Sequence, residues 1–184
     1  YATVPDHADW YFGADPFTID FWVRAADSTG DKGFCGQYAD ASNYWYIAQI
    51  SGNIIFKIVV GGDTKASYGN GNSLVQNVWT HIEVVRNGSN VYIFVNGNNA
   101  DTVTLTPIST NEVPNLAANL EIGAASNHTV LMNGWIDEFR VSKGIARHTS
   151  IHAPDLKPYG SGTTASLYVA STRPLTGVKF YVDV

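Results

Sequence analysis

The stretch WTHIEVVRNGSNVYIFVNGN, Trp79 to Asn98, reads as a β-hairpin. Two extended runs rich in β-branched and aromatic residues flank Asn87-Gly88-Ser89-Asn90, and a second Asn-Gly pair, Asn96-Gly97, closes the second run. Asn and Gly tolerate the positive φ that tight hairpin turns require. The rest of the chain has the same texture. FTIDFWVRA sets Phe17, Ile19, Phe21 and Val23 on one side and Thr18, Asp20, Trp22 and Arg24 on the other. This is the period of two that belongs to strands. NYWYIAQI and NIIFKIVVGG follow, joined at Ser51-Gly52-Asn53, and NLEIGAA and NGWIDEFRVS come later. Many short strands with frequent turn signals predict an all-β sandwich or barrel. Helical signal is confined to DHADWYF and KGIARHT, each long enough for one short turn.

The 184 residues suffice for one domain with a substantial core. Only 15% of them are charged, and the net charge is −5. That balance, without a basic stripe, excludes the phosphate backbone of a nucleic acid as partner. The apolar runs are strand-length and interrupted, so no membrane insertion is expected. Cys35 is the sole cysteine, which rules out a disulfide within the chain and predicts a small buried apolar residue. The chain opens at Tyr1, without Met, in a strand-like run, which reads as a fragment or processed product. Two sequons, at Asn87 and Asn127, matter only in a secreted eukaryotic protein. After Ala153-Pro154 the texture changes. DLKPYGSGTT reads as a linker, and two strand-like runs around Pro174 follow. The expected division is therefore residues 1–154 as one sandwich domain. Residues 155–184 are a linker with C-terminal strands that complete the domain or begin a further module.

YATVPDHADWYFGADPFTIDFWVRA, the Trp79 hairpin and LEIGAASNHTVLMNGWIDEFRVSKGIARHT together resemble the laminin G-like domains of the concanavalin A-like lectin/glucanase superfamily. The likeness is to those of bacterial surface proteins and phage virion proteins, and it covers about Tyr1 to Pro154. It implies a two-sheet antiparallel β-sandwich of jelly-roll type that binds carbohydrate or protein. It also implies a structural calcium held by a closing-strand aspartate, which corresponds to Asp137, with Asp6 or Asp9 as local N-terminal partners. Hard oxygen ligands of this kind suit calcium. The alternative for Asp137 is a carboxylate satisfied by backbone N–H groups at the edge of the sandwich.

Catalysis is a separate question. Glycoside hydrolysis needs two carboxyl groups roughly 5–10 Å apart on one bond. In WIDEF, Asp137 and Glu138 are neighbours on a strand and are expected to point to opposite faces. Trp135, Asp137, Phe139 and Val141 then face inward, and Ile136, Glu138 and Arg140 outward. HIEVV offers Glu83 and His81 on one side but no second carboxylate. No dyad follows from any single strand; one assembled from different strands stays open beside the default of sheet surface, and the protein is read as not an enzyme. The five histidines are scattered without zinc spacing. Asp20, Arg24, Glu83, Glu138 and Arg140 are expected to form cross-strand pairs on a solvated face.

Sugar recognition usually combines an aromatic ring face with polar groups that read hydroxyls. Trp22 with Asp20, Trp45 with Tyr46, and Asn127 in the loop after Ala125 are the candidate ligand residues, against the alternative of core packing. Trp79 and Trp135 are expected in the packed interior. The function expected is a non-catalytic, extracellular, lectin-like recognition module on a cell or virion surface, with a glycan as ligand. The alternative is a structural or adhesive component of a phage particle or cell envelope that contacts protein.

Overall fold

The computed structural model describes residues 1–70, 73–104, 112–154, 156 and 180–183. Fourteen strands are formed among them: β1 (Ala2–Val4), β2 (Phe17–Ala25), β3 (Lys32–Asp40), β4 (Asn43–Ile50), β5 (Asn53–Val60), β6 (Asp63–Asn70), β7 (Trp79–Asn87), β8 (Asn90–Val95), β9 (Asn98–Thr104), β10 (Leu120–Ile122), β11 (Ala124–Ala125), β12 (Val130–Leu131), β13 (Gly134–Lys143) and β14 (Phe180–Asp183). The first helical signal becomes a single 3-10 turn, Ala8–Trp10; KGIARHT carries no helix. Sheet I has the order β1-β10-β3-β4-β5-β6, and sheet II the order β14-β13-β2-β7-β8-β9. All pairings are antiparallel except β13 with β14. In that pairing Phe139 stands against Phe180 and Ser142 against Asp183. The remaining C-terminal residues thought to be a linker and a first strand lie outside the described residues.

The fold is a two-sheet β-sandwich, and alternation explains it. Phe17, Ile19, Phe21 and Val23 of β2 are fully buried, as are Ile82 and Val84 of β7. They meet Phe34, Trp45, Ile47, Ile54, Phe56 and Ile58 of sheet I in one continuous core. Burial of each such side chain stabilises by roughly 1.5–3 kcal/mol. Cys35 belongs to this core, and burial pushes its thiol pKa up.

Three local features break the simple alternation, and each positions something. The first is a bulge in β13. Its register against β2 shifts between Asp137 and Arg140, so Glu138 and Phe139 together stand where one residue would, and Glu138 takes φ 51°. Parity therefore inverts along the strand. Phe139 and Val141 face the core, but on the other side of the bulge it is Ile136 that packs against it. Trp135 and Asp137 are turned to the outer face, which corrects the inward expectation for both.

The second feature is the β11–β12 hairpin, which lies on the outer face of sheet I. Gly33 admits it: a Cβ there would come within 2.3 Å of the Val130 carbonyl oxygen and 2.5 Å of the Ala125 nitrogen. The third is the segment after β13, residues 144–154, which crosses the outer face of sheet II. Thr18 Oγ1 donates to the Ile145 carbonyl at 2.9 Å and accepts from Arg147 N at 3.0 Å. Arg147 Nε donates to Ser142 Oγ at 2.9 Å, and His152 N donates to the Gly97 carbonyl at 3.1 Å. Gly97 has φ 73°, and a Cβ there would meet the His152 oxygen at 1.8 Å. Glycine is required at this crossing.

Candidate functional site

The outer face of sheet II is a grid set by the registers of β7, β2 and β13. Trp79, Arg24 and Trp135 form one row; His81, Trp22 and Asp137 the next; Glu83, Asp20 and Arg140 the third. Adjacent strands lie about 4.8 Å apart, so Trp79 and Trp135 are separated by roughly 10 Å with Arg24 between them.

The first row is open. Trp135 is 51% exposed and Trp79 41%, so the expectation that both are interior is corrected. They sit on the outward side of the sheet. The Arg24 guanidinium lies over the Trp135 ring, 4.7 Å from its centroid, a cation–π contact. Arg24 Nε is buried and has no hydrogen-bond partner. Val78, next to Trp79, is also exposed. In the second row Trp22 is half-buried and packs on His81 with centroids 5.2 Å apart. Asp137 is half-buried, and its Oδ1 accepts the Glu138 N–H at 2.9 Å, which ties off the bulge.

The third row is sealed beneath residues 144–154. Asp20 and Glu83 have 1% and 0% exposure. Arg140 grips Asp20 through two parallel bonds, Nε to Oδ1 at 2.9 Å and Nη2 to Oδ2 at 2.7 Å. His81 Nε2 is 3.6 Å from Asp20 Oδ2. His148 Nδ1 and His152 Nε2 approach the two Glu83 oxygens at 2.9 and 3.0 Å. Burial, and then the charge of Asp20, push the Glu83 carboxyl up to about 7, against the pull of His152, His81 and Arg140. The solvated face expected for Asp20, Glu83 and Arg140 is thus corrected, because the tail removes it from water. Two carboxylates do stand side by side, supplied by different strands, and both are buried beneath the tail.

Sequence reasoning brought some of these residues together and not others. Trp22 and Asp20 share a face, in an accessible and a sealed row respectively. Trp45 is 1% exposed and fills the core against Phe12 and Phe56, so its ring is not offered to a ligand. Tyr46 packs against Ala125 on the outer face of sheet I, and Asn127 lies two residues further on. Tyr46 is 8% exposed and stacks on Tyr44, which stacks on Tyr38. Asn127 is exposed at the hairpin tip, where Ser126, Asn127 and His128 all adopt positive φ of 52°, 56° and 61°. His128 pairs with Glu121 and stacks on Tyr1 at 4.4 Å. The Trp79–Arg24–Trp135 row was missed, although the alternation of β2 places Arg24 outward.

Asp137 is expected to hold calcium, with Asp6 or Asp9 as N-terminal partners. Calcium takes six to eight oxygens, commonly from several carboxylates. Asp137 belongs to no group of three or more ligating side chains among the described residues. Asp9 lies beside Ala8, whose carbonyl accepts from Lys143 Nζ at 2.8 Å. Lys143 is six residues from Asp137, roughly 20 Å along β13, so Asp9 sits toward the opposite end of the strand.

Sheet order, inward faces and closing strand define a concanavalin A-like sandwich. The chain belongs to the laminin G-like family of the Concanavalin A-like lectin/glucanases superfamily, whose model matches residues 1–152. No curated protein matches the sequence. Among solved structures it is similar to domain 4 of an extracellular arabinanase from Geobacillus stearothermophilus, determined with arabinotriose: TM-score 0.57, 16% identity, 73% of this chain and 62% of that one. It is also similar to a proposed carbohydrate binding protein from Bacteroides ovatus: TM-score 0.60, 14% identity, 80% of this chain and 42% of that one. A heptameric pentraxin from Limulus polyphemus matches at TM-score 0.50 and 12% identity, over 80% of this chain and 77% of that one. The chain thus spans about two-fifths to three-fifths of the first two proteins. At these identities the likeness is one of fold.

Proposed function

We propose that the chain is a non-catalytic recognition module that binds carbohydrate on the open end of sheet II. The observation that carries this reading is the row Trp79–Arg24–Trp135. Two exposed indoles about two strand spacings apart flank the Arg24 guanidinium, which lies over the Trp135 ring. Ring faces of this kind stack on sugar C–H surfaces, and the guanidinium donates to hydroxyls. Trp22 extends the row along β2. The binding of arabinotriose by the arabinanase domain supports the ligand class and supplies a first probe. The burial of Asp20 and Glu83 supports the absence of hydrolysis.

A glycan array that includes arabinan oligosaccharides identifies a ligand, and calorimetry on Trp79→Ala and Trp135→Ala locates it. Each variant is expected to fold normally and to lose about 2 kcal/mol of affinity, roughly thirtyfold. Tyr44→Ala, on sheet I, is expected to bind as wild type. Loss of binding in Tyr44→Ala with both tryptophan variants unaffected would move the site to the tyrosine row. A silent array with concentration-dependent self-association would favour the structural or adhesive reading, for which exposed Val78 beside Trp79 gives an apolar contact. Release of reducing sugar from any bound glycan would overturn the non-catalytic assignment. An extracellular place, on a cell or virion surface, is the setting proposed for such a module. No helix among the described residues is long and apolar enough to cross a membrane.

A further inference from the structure

Glu83, His148 and His152 converge from two separate segments, and their ligating atoms all lie within 4.8 Å of one another. Glu83 comes from the centre of β7 and is fully buried. The histidines come from the segment that crosses sheet II, with rings stacked 3.6 Å apart at 8°. His148 Nδ1 is 2.9 Å from Glu83 Oε1, and His152 Nε2 is 3.0 Å from Oε2. Four ligands held tetrahedrally at roughly 2.0–2.1 Å from a zinc ion are about 3.3 Å from each other. The two His–Glu83 separations lie a few tenths of an ångström below that spacing, and all three ligating atoms fall within 4.8 Å of one another.

The tautomer of His152 sharpens the case. Its Nδ1 lies 3.2 Å from the Ser150 carbonyl oxygen, which can only accept, so Nδ1 carries the proton. In the neutral ring Nε2 then presents a lone pair toward a carboxylate oxygen. Nε2 is indeed buried and makes no hydrogen bond, despite its 3.0 Å approach to Glu83. Two acceptors facing each other in a buried site are repulsive unless a proton or a cation lies between them. A ligating histidine whose other ring nitrogen donates to a backbone carbonyl is the arrangement that orients imidazole toward a metal. Phe94 fixes the same ring edge-on, with centroids 4.9 Å apart.

We propose that Glu83, His148 and His152 form a binding site for a transition-metal dication of the zinc class. Two imidazole nitrogens and one carboxylate oxygen are a donor set for zinc, cobalt or nickel and a poor one for calcium. The side chain of His148 is 41% exposed, which opens a path for the ion and a fourth position for solvent. The ion would clamp residues 148–152 onto β7. This site is separate from the open tryptophan row and from Asp137.

The test uses untagged protein treated with chelator and dialysed. Zinc chloride is titrated by calorimetry, and cobalt chloride by visible absorption. Saturation at one equivalent is expected, with cobalt bands of tetrahedral intensity and a zinc-dependent rise in melting temperature. His152→Ala and His148→Ala should each weaken zinc binding on the order of 100-fold or more, since even outer-shell changes cost 10–100-fold. His7→Ala, remote from the site, should leave it unchanged. The exposure of His148 makes its variant the safer one to fold. Absence of saturable binding in the folded wild type would overturn the proposal. So would equal affinity in wild type and both histidine variants.

Discussion

Arg24 and Asp20 are four residues apart on β2 and point to the same side of the same sheet, roughly 13 Å from each other. Around Arg24 the face is open and aromatic; around Asp20 it is sealed and ionic. Nothing in the strand itself makes this difference. β2 alternates without interruption, and both residues have cross-strand partners on β7 and β13. The difference comes from residues 144–154, which bury Asp20 and Glu83 and leave Trp79 and Trp135 exposed. A sheet face takes its chemistry from what lies on it as much as from what it presents.

The largest effect that can test this contrast is removal of a charge from each end. Asp20→Ala leaves Arg140 buried without its carboxylate, and breaking a buried pair costs about 3–5 kcal/mol. Arg24→Ala removes a half-buried guanidinium from the open row and should cost about 1 kcal/mol or less. Urea denaturation of both variants measures the gap. A loss under 1 kcal/mol in Asp20→Ala would show that water reaches the third row, and the contrast would disappear.

The second test removes the cover and spares the charges. Gly97→Ala puts a methyl group where the His152 carbonyl sits and forces φ 73° on a non-glycine residue. The backbone strain alone costs roughly 1–2 kcal/mol. Amide exchange is expected to rise in residues 147–152 and to stay slow in β2 and β7. Uniformly faster exchange over the sheet would mean that the tail and the sheet unfold as one unit.

The third test concerns the bulge that turns Trp135 outward. Asp137→Ala deletes the acceptor of the Glu138 N–H, a bond expected to contribute about 1 kcal/mol. Calcium and chelator should shift the melting temperatures of wild type and Asp137→Ala by the same amount. A calcium-dependent rise seen only in wild type would support the calcium role that the family resemblance implied.

The fold was legible because a period of two, turn dipeptides and one closing motif all point to the same architecture. The core face of β2 was also read residue by residue. The site was legible only in fragments, for physical reasons. The parity of β13 fails at Glu138, and one residue in a bulge inverts every assignment beyond it, which is how Trp135 was placed inside. Trp45 and Tyr46 are adjacent, and alternation says that they part company without saying which faces the core. His148 and His152 are four residues apart, a spacing that zinc ligands use, but their third partner, Glu83, lies 65 residues away from His148 in the sequence and no local pattern joins the three. Burial of Asp20 and Glu83 depends on a segment with no secondary structure, and periodicity gives no signal for such a segment.

The smallest expected effect carries the contrast to the other sheet. Glu121 of β10 is 8% exposed on sheet I, and its partner is His128, on the strained turn at Ser126–His128. Burial pushes the Glu121 carboxyl above its ordinary value, and His128 pulls it part of the way back. A carboxyl with a raised folded-state pKa binds its proton more tightly when folded than when unfolded. Its contribution to stability is therefore complete below the unfolded value and is lost as pH rises through the folded one. The window opens near pH 4.5, the unperturbed value. Over it, wild type should lose stability relative to Glu121→Gln, which has no proton to release. Melting temperatures measured in steps from pH 4 to pH 8 give the difference curve, and the Glu83 contribution cancels because both proteins retain it. Parallel curves would show that Glu121 is as free in the folded chain as in the unfolded one. The β11–β12 hairpin would then leave that part of sheet I open to water, as the tryptophan end of sheet II is.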